Sequence, residues 1–246
     1  MRPALFAKPR PRHGEKLEID GLRLRLSVNR RARRVSVRID ARAGEAVVTA
    51  PSERAMPQAI DFALSRRDWI AEHLSKRPDS APFAPGAEIL LHGRPVRLIA
   101  SGNAAAARLV PDHPGGPAII SGGEHEAFHR RIERLLRAEA KAALTARTQV
   151  HLDRLGLKPV RVSIGDPASR WGSCSPHNRS IRYSWRVIMA PPEVLDYLAA
   201  HEVAHLVHAD HSPAYWSVVH GLVGDHRPFR KWLRDHGPTL HAAGKA

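Results

Sequence analysis

The stretch that most constrains the fold and chemistry of this chain is residues 201–211, which read HEVAHLVHADH. Histidines four residues apart lie one above the other on a helix, so His201 and His205 can bind the same ion. Neutral imidazole is a common zinc ligand. Glu202 lies one position further round the helix, where a carboxylate can miss the metal and still serve as a general base. The stretch therefore predicts one Zn2+ ion with an open coordination position.

Two later histidines compete to be the third ligand. His208 would lie about 10 Å from His201 along an unbroken helix, at 1.5 Å of rise per residue, which is too far for one ion. His211 can reach the ion if the helix ends near His208 and the chain turns back. Ser212 and Pro213 support such a break, because serine is a favourable N-cap and proline is tolerated at the first helical position. We therefore predict that His211 completes the ligand set, with His208 in the turn at a positive φ.

Composition excludes several classes of protein. With 246 residues, 43% of them apolar, the chain can form one large domain or two small ones with a real core. It contains no run of 18 apolar residues, so we expect no transmembrane helix and no membrane partner. The N-terminal residues lack the apolar centre of a signal peptide. The one cysteine, Cys174, excludes an intramolecular disulfide framework and fits a reducing cytosol, so we expect a cytoplasmic protein.

The chain is strongly basic. Its 39 Lys and Arg residues against 24 Asp and Glu give a net charge of +15. Such a field attracts polyanions, including nucleic acids and nucleotides. The arginines are nevertheless dispersed, which is typical of a surface that is basic for solubility alone. The run RRARR at residues 30–34 can bind phosphate or simply be solvated, so a nucleotide or nucleic-acid partner stays open.

Apolar periodicity predicts a β-rich first half with one helix. The pattern indicates strands over 22–28, 35–39 and 46–49, with residues 30–34 at a hairpin connection, a helix over 52–76, and a hairpin over 89–100 that turns at His92-Gly93. Residues 101–123 hold Gly, Ala and Pro with few large apolar residues. They predict a variable loop between two subdomains.

The second half predicts helices around a small sheet. The pattern indicates a helix over 124–155, a strand over 160–164, a polar loop over 169–175, a strand over 181–187, and a helix that begins at Pro191-Pro192 and carries His201. A long helix, a small mixed or antiparallel sheet and an HExxH helix follow one another in this way in a zincin-like core. The fold class is therefore α+β, with a β-rich N-terminal subdomain. The expected parts are a disordered basic arm (1–17), the N-terminal subdomain with one helix (18–110), the zincin-like domain (123–238) and a tail (239–246).

Several motifs of the second half resemble those of one bacterial family, the YgjP-like metallopeptidases, which are related to WLM- and SprT-type zincins. The matching residues are Ser169–Cys174, Ala190–Pro192, Asp196-Tyr197 and His201–His211. The resemblance extends from Glu18 to His236. It implies one Zn2+ ion on His201, His205 and His211 and a catalytic Glu202. The HExxH motif itself favours a protein or peptide substrate.

The predicted site favours a zinc-dependent hydrolase, and a metallopeptidase above other kinds. In that reaction a zinc-bound water, activated by Glu202, attacks a peptide carbonyl. One alternative is a metal-dependent nucleotide phosphohydrolase that resembles a nucleoside triphosphate pyrophosphatase, because a basic cleft would hold a triphosphate. The other is a nucleic-acid-associated protease that its basic surface recruits.

A second group of residues has a functional interpretation and a structural alternative. These residues are Arg170, Trp171, Ser173, His177, Asp210 and Tyr215. The first three belong to a loop that either binds substrate beside the zinc or forms a buried structural turn. His177 can stabilise an oxyanion or lie on the surface. Asp210 can orient a ligand histidine or be an exposed carboxylate, and Tyr215 is expected to pack beneath the zinc site.

Overall fold

The computed structural model of the chain describes residues 11–40, 43–75, 82–167 and 170–245. Two compact units divide the chain, Met1–Pro78 and Asp79–Ala246. Each unit combines helices with small sheets, so the fold class is α+β as predicted. The division lies at Pro78 and not within residues 101–123, because strands at both ends of that segment pair with each other and share one core.

The first unit is built on a small mixed sheet. Its strands are β1 (Lys16–Ile19), β2 (Leu22–Val28), β3 (Ser36–Asp40) and β4 (Glu45–Ala50). The order in the sheet is β1-β2-β4-β3, with β2 parallel to β4 and the other pairs antiparallel. Leu22, Leu24 and Leu26 are buried, as their alternation predicts. The arm is expected over residues 1–17, but residues 16 and 17 belong to β1, and residues 1–10 lie outside the described residues.

The hairpin predicted between β2 and β3 is wrong. Strand β4 lies between them, because Ala46, Val47 and Val48 are buried in succession and such a strand takes a central position in a sheet. Residues 30–34 therefore connect two strands that are not neighbours. Their arginine side chains are exposed.

The single helix predicted over residues 52–76 is divided in the structure. After a short 3₁₀ turn, helix α1 (Met56–Leu64) is followed by helix α2 (Arg67–Ser75). The Ser65 hydroxyl donates a hydrogen bond to the Phe62 carbonyl at 2.8 Å. A serine that bonds to the preceding turn competes with the helical hydrogen bonds, which explains a break at this point. Residue 76 lies outside the described residues.

The second unit begins with another mixed sheet. Its strands are β5 (Glu88–Leu91), β6 (Arg94–Ala100), β7 (Arg108–Val110) and β8 (Ala118–Ser121), in the order β5-β6-β8-β7. The hairpin of β5 and β6 turns at His92-Gly93 as predicted, with φ values of 50° and 74°. The loop predicted over residues 101–123 is wrong in part, since it contains β7 and β8. Both strands are short, and glycine and proline residues between them hide the alternation.

A smaller sheet precedes the site. Strands β9 (Arg161–Gly165), β10 (Gly172–Ser175) and β11 (Ser180–Ser184) lie in the order β10-β11-β9. The polar loop predicted over 169–175 is therefore a strand from Gly172 onwards, held by its antiparallel pairing with β11. Residues 168 and 169 lie outside the described residues. The strand predicted over 181–187 ends at Ser184, where a buried 3₁₀ helix of residues Trp185–Met189 begins.

Helices enclose the core of the second unit. They are α3 (His125–Arg154), α4 (Pro192–Ala204), α5 (Pro213–Val223) and α6 (Arg227–Ala242). Helix α3 buries Phe128, Ile132, Leu136, Ala140 and Leu144 at a regular spacing of four, which confirms the predicted amphipathic helix. Among the described residues, no helix is both long and apolar enough to span a bilayer.

The end of α6 is anchored by a buried arginine, and residues 239–242 belong to this helix although a tail is expected over 239–246. Residue 246 lies outside the described residues. The Arg186 guanidinium donates to the Leu240 carbonyl at 3.2 Å and also to the Ala243 carbonyl. It forms an ion pair with Asp166 at 2.7 Å. These bonds satisfy carbonyl groups that a helix leaves unpaired at its C-terminus.

Candidate metal centre

Helix α4 places two of the predicted ligands and the predicted base. His201 and Glu202 lie in its last turn, and His205 is the C-cap residue. The helix ends at Ala204, earlier than the predicted end near His208. Two backbone hydrogen bonds tighten its final turn. The Leu206 N–H donates to the Val203 carbonyl, and the Val207 N–H donates to the Ala204 carbonyl.

The third histidine arrives from the start of α5. The Ser212 side chain accepts a hydrogen bond from the Tyr215 N–H, and Pro213 is the first helical residue. This N-cap confirms the predicted break and returns the chain so that His211 lies beside His201. The positive φ predicted for His208 is wrong, since the described non-glycine residues with positive φ do not include it. The tight turn after Ala204 makes that strained conformation unnecessary.

The three histidines lie close enough to hold one ion. One ring nitrogen from each of His201, His205 and His211 lies within 4.8 Å of the others. The Nε2 atoms of His201 and His211 are 3.4 Å apart. Two nitrogens on a tetrahedral zinc ion, each bonded at about 2.0–2.1 Å, are about 3.3 Å apart. The spacing of this pair therefore fits zinc.

The protonation of the histidines also suits a metal. The Nδ1 atom of His205 lies 3.2 Å from the His208 carbonyl oxygen, which can only accept, so Nδ1 carries the proton and Nε2 keeps its lone pair. Burial, together with the charges of His205 and His211, lowers the pKa of His201 to about 3. His201 is thus neutral at pH 7, which is the form that binds a metal.

Tyr215 forms the floor of the histidine cluster. Its ring is fully buried and lies 4.6 Å from the His205 ring. Its hydroxyl donates to the His201 carbonyl at 2.9 Å. That bond ties α5 to the last turn of α4, so Tyr215 positions two histidines at once. The packing role expected for this residue is what the structure shows.

Glu202 is buried against strand β10. A Cβ atom added to Gly172 would lie 2.7 Å from the Cδ and Cγ atoms of Glu202, so only glycine leaves room for this side chain. Burial raises the pKa of Glu202 to about 8, and the charge of Arg170 opposes that rise. A carboxylate with a pKa near neutrality suits a general base.

A cavity of about 330 Å³ opens beside His201 and Glu202. Arg170, Trp171 and Gly172 line one side of it. The Arg170 side chain is exposed and Trp171 is partly buried, with its ring stacked 4.2 Å from that of His241. Both residues line the cavity, and the substrate-binding role of this segment stays a prediction.

The other predicted residues lie apart from the cavity. Ser173 is on β10 opposite Arg182, and His177 is exposed in the turn between β10 and β11. The Asp210 carboxylate accepts from the Ser212 N–H at 3.2 Å, so it stabilises the turn before α5. Burial, together with the charge of Glu202, raises the pKa of Cys174 to about 11. This thiol is protonated at neutral pH and packs against the core.

Sequence reasoning did not find the residues that α6 brings to the cavity. Arg230 and Arg234 both line it. Their spacing of four places them on one face of a helix, which was a signal in the sequence. They could not be distinguished from other arginines of the chain, because nothing local shows that α6 packs beside α4.

The chain is similar to a protein family and to a solved structure among known proteins. A family model described as the YgjP-like metallopeptidase domain matches residues 33–236. Among solved structures, the chain is similar to the metallopeptidase zymogen abylysin of Pyrococcus abyssi, at 24% identity and a TM-score of 0.35, over 38% of this chain and 92% of that chain. No curated protein matches the chain. The family match confirms the resemblance that the motifs indicated: the chain belongs to the YgjP-like metallopeptidases, and it is a hydrolase with a zincin-like α+β fold.

Proposed function

We propose that the chain is a zinc-dependent peptidase with His201, His205 and His211 as zinc ligands and Glu202 as the general base. The observation that carries the proposal is the meeting of the three ring nitrogens within 4.8 Å beside a buried carboxylate and a cavity. A structural zinc site needs a closed set of ligands and no base. The carboxylate and the open cavity therefore support a catalytic site.

Zinc, when bound, would supply a Lewis acid that acidifies a water molecule and polarises a carbonyl group. Glu202 accepts the proton from the attacking water and returns it to the leaving amine. Its burial keeps it basic enough for the first step. A bound dication would lower its pKa in the same sense as Arg170 does, so the carboxylate can be ionised at neutral pH.

The histidines need little rearrangement before a metal binds. Tyr215 holds the His201 carbonyl, and the His208 carbonyl holds the His205 ring. Both bonds form within the chain alone. The first bond fixes the backbone of His201 and the second orients the His205 ring, which reduces the cost of assembling the site.

A second candidate function is hydrolysis of nucleoside triphosphates. The observation that favours it is the set of arginines that lines the cavity, since guanidinium groups bind phosphate well. The two functions use the same metal and base and differ in the bond that is broken. Family membership favours the peptide bond.

The test compares wild type with Glu202→Gln in three measurements. These are zinc content by elemental analysis, hydrolysis of a peptide library, and phosphate or pyrophosphate release from nucleoside triphosphates. We expect the variant to keep its zinc and to lose peptide hydrolysis by about 10²–10⁴-fold, the usual contribution of a general base. Glu193→Gln is the matched control, because Glu193 is exposed in the first turn of the same helix.

Two outcomes would overturn the proposal. If Glu202→Gln hydrolyses peptides as fast as wild type, Glu202 is not the base. If wild type releases pyrophosphate or phosphate and cleaves no peptide, the second candidate function replaces the first.

A further inference from the structure

The cavity beside Glu202 has an unusual charge. Three arginines line it, Arg170, Arg230 and Arg234. Glu202 is the one acidic residue among the described residues that line the cavity. Glu202 is committed to the reaction in the proposed function. The arginines therefore have no acidic neighbour in the cavity left to neutralise them.

Two of these arginines are free of ion pairs within the part of the chain that the structure describes. Neither Arg170 nor Arg230 has a carboxylate within 4.0 Å there. Arg234 has a weak pair with Asp235 at 3.4 Å, and the same carboxylate also binds Lys231. A cluster of guanidinium groups that lacks internal partners is a site for an external anion.

Aromatic packing holds Arg230 near the histidines. Its guanidinium carbon lies 5.6 Å from the centre of the Trp216 ring. The Trp216 ring in turn is stacked on His211 at 5.7 Å. A cation–π contact of this kind restricts an exposed side chain. Arg230 thus lies over a tryptophan that contacts a proposed ligand.

We infer that this arginine-lined cavity selects peptides that carry an acidic side chain next to the scissile bond. The inference rests on the proposed function, because it names the substrates of that same site. A volume of about 330 Å³ accommodates one side chain and its neighbouring backbone. The apolar faces of Trp171, Tyr197 and Leu233 line the same cavity and can contact the methylene groups of a glutamate.

The experiment uses one peptide scaffold with Glu, Gln or Lys placed in turn on each side of the cleaved bond. For wild type at low salt we expect kcat/KM to be about tenfold higher with Glu than with its isostere Gln, which corresponds to about 1.4 kcal/mol. Lys should be poorer than Gln. The preference for Glu should decrease as salt is added, because the arginines are exposed and salt screens them.

Charge reversal on α6 gives the sharper comparison. We expect Arg230→Glu combined with Arg234→Glu to prefer the Lys peptide over the Glu peptide. The milder pair Arg230→Gln and Arg234→Gln should abolish the preference, and zinc content shows whether each variant is folded. Lys231→Glu is the matched control, since Lys231 lies on the same helix, is exposed and does not line the cavity.

The outcomes separate this inference from the function on which it rests. Peptide hydrolysis that depends on Glu202 but shows no preference among Glu, Gln and Lys overturns the inference alone. Reversal by the Lys231→Glu control would also overturn it, because the effect would then come from net charge. Absence of Glu202-dependent peptide hydrolysis overturns both, and arginine-dependent hydrolysis of nucleoside triphosphates would assign the cavity to phosphate.

Discussion

Replacement of Gly172 by alanine tests the placement of Glu202 without changing Glu202 itself. The added Cβ would lie 2.3 Å from the Oε1 atom of Glu202 and 2.7 Å from its Cδ and Cγ atoms, whereas ordinary contact begins at 3.4 Å. The carboxylate must therefore move by about 1 Å to restore ordinary contact. Because the side chain is buried, it moves as a constrained group and not as a free end.

The size of the effect follows from that displacement. Misplacing a catalytic group by about 1 Å can reduce the rate by on the order of 10²-fold. We expect kcat for a cleaved peptide to fall by about that factor. Zinc content should be unchanged, because the three atoms nearest the added Cβ all belong to Glu202 and β10 supplies none of the histidines.

The assay is steady-state peptide hydrolysis together with elemental analysis and thermal unfolding. Gly221→Ala is the matched control, since a Cβ at Gly221 meets nothing within 4 Å and alanine is favourable within helix α5. Wild-type kcat in Gly172→Ala would refute the reasoning that the Gly172 contact positions the base. Loss of zinc in this variant would refute the separation between the base and the ligands.

Three further predictions test other parts of the site and of the core. His211→Ala should lose zinc affinity by more than the ~10–100-fold that removal of an outer partner costs, while His208→Ala should retain zinc by elemental analysis; equal affinities would refute the ligand choice. Tyr215→Phe removes a buried hydrogen bond to α4 and should lower the free energy of unfolding by about 1–3 kcal/mol in urea titrations; an unchanged midpoint would contradict this role. Burial raises the pKa of Asp166, but its bonds to Arg186 outweigh that effect and the pKa is lowered, so the pair stabilises the fold above the ordinary carboxyl pKa and is lost as pH falls through the lowered value. Asp166→Asn should therefore flatten the acid side of the stability profile, and a profile parallel to wild type would contradict the assignment.

The clustering of the three histidines could be predicted from the sequence because its determinants are local. The spacing of His201 and His205 requires only a helix, and the return of His211 requires only a helix start at Ser212. Both follow from short-range rules of capping and periodicity. The exact end of α4 did not follow, since 3₁₀-type bonds after Ala204 shorten the helix without a glycine or proline to mark it.

Sheet topology and the cavity could not be predicted, because both depend on contacts distant in the sequence. Strand β4 pairs in parallel with β2 because β4 is buried on both faces. The order of the strands in the sequence suggests instead a hairpin of β2 and β3. Strand β10 is polar, and it is a strand and not a loop because it pairs with β11. Arg230 and Arg234 enter the cavity only because α6 packs beside α4.

The anchoring of α6 by Arg186 bears on how the chain can be shortened. Similarity to the family ends at residue 236, which invites trimming of the residues that follow. A chain cut there would lose the Leu240 and Ala243 carbonyls and leave a buried guanidinium with Asp166 alone. Each lost acceptor of a charged donor costs about 1.5–3 kcal/mol. A protein that ends where the sequence similarity ends would thus have a less stable helix α6, which carries Arg230 and Arg234. Any shortened version of the protein should include residues up to 243.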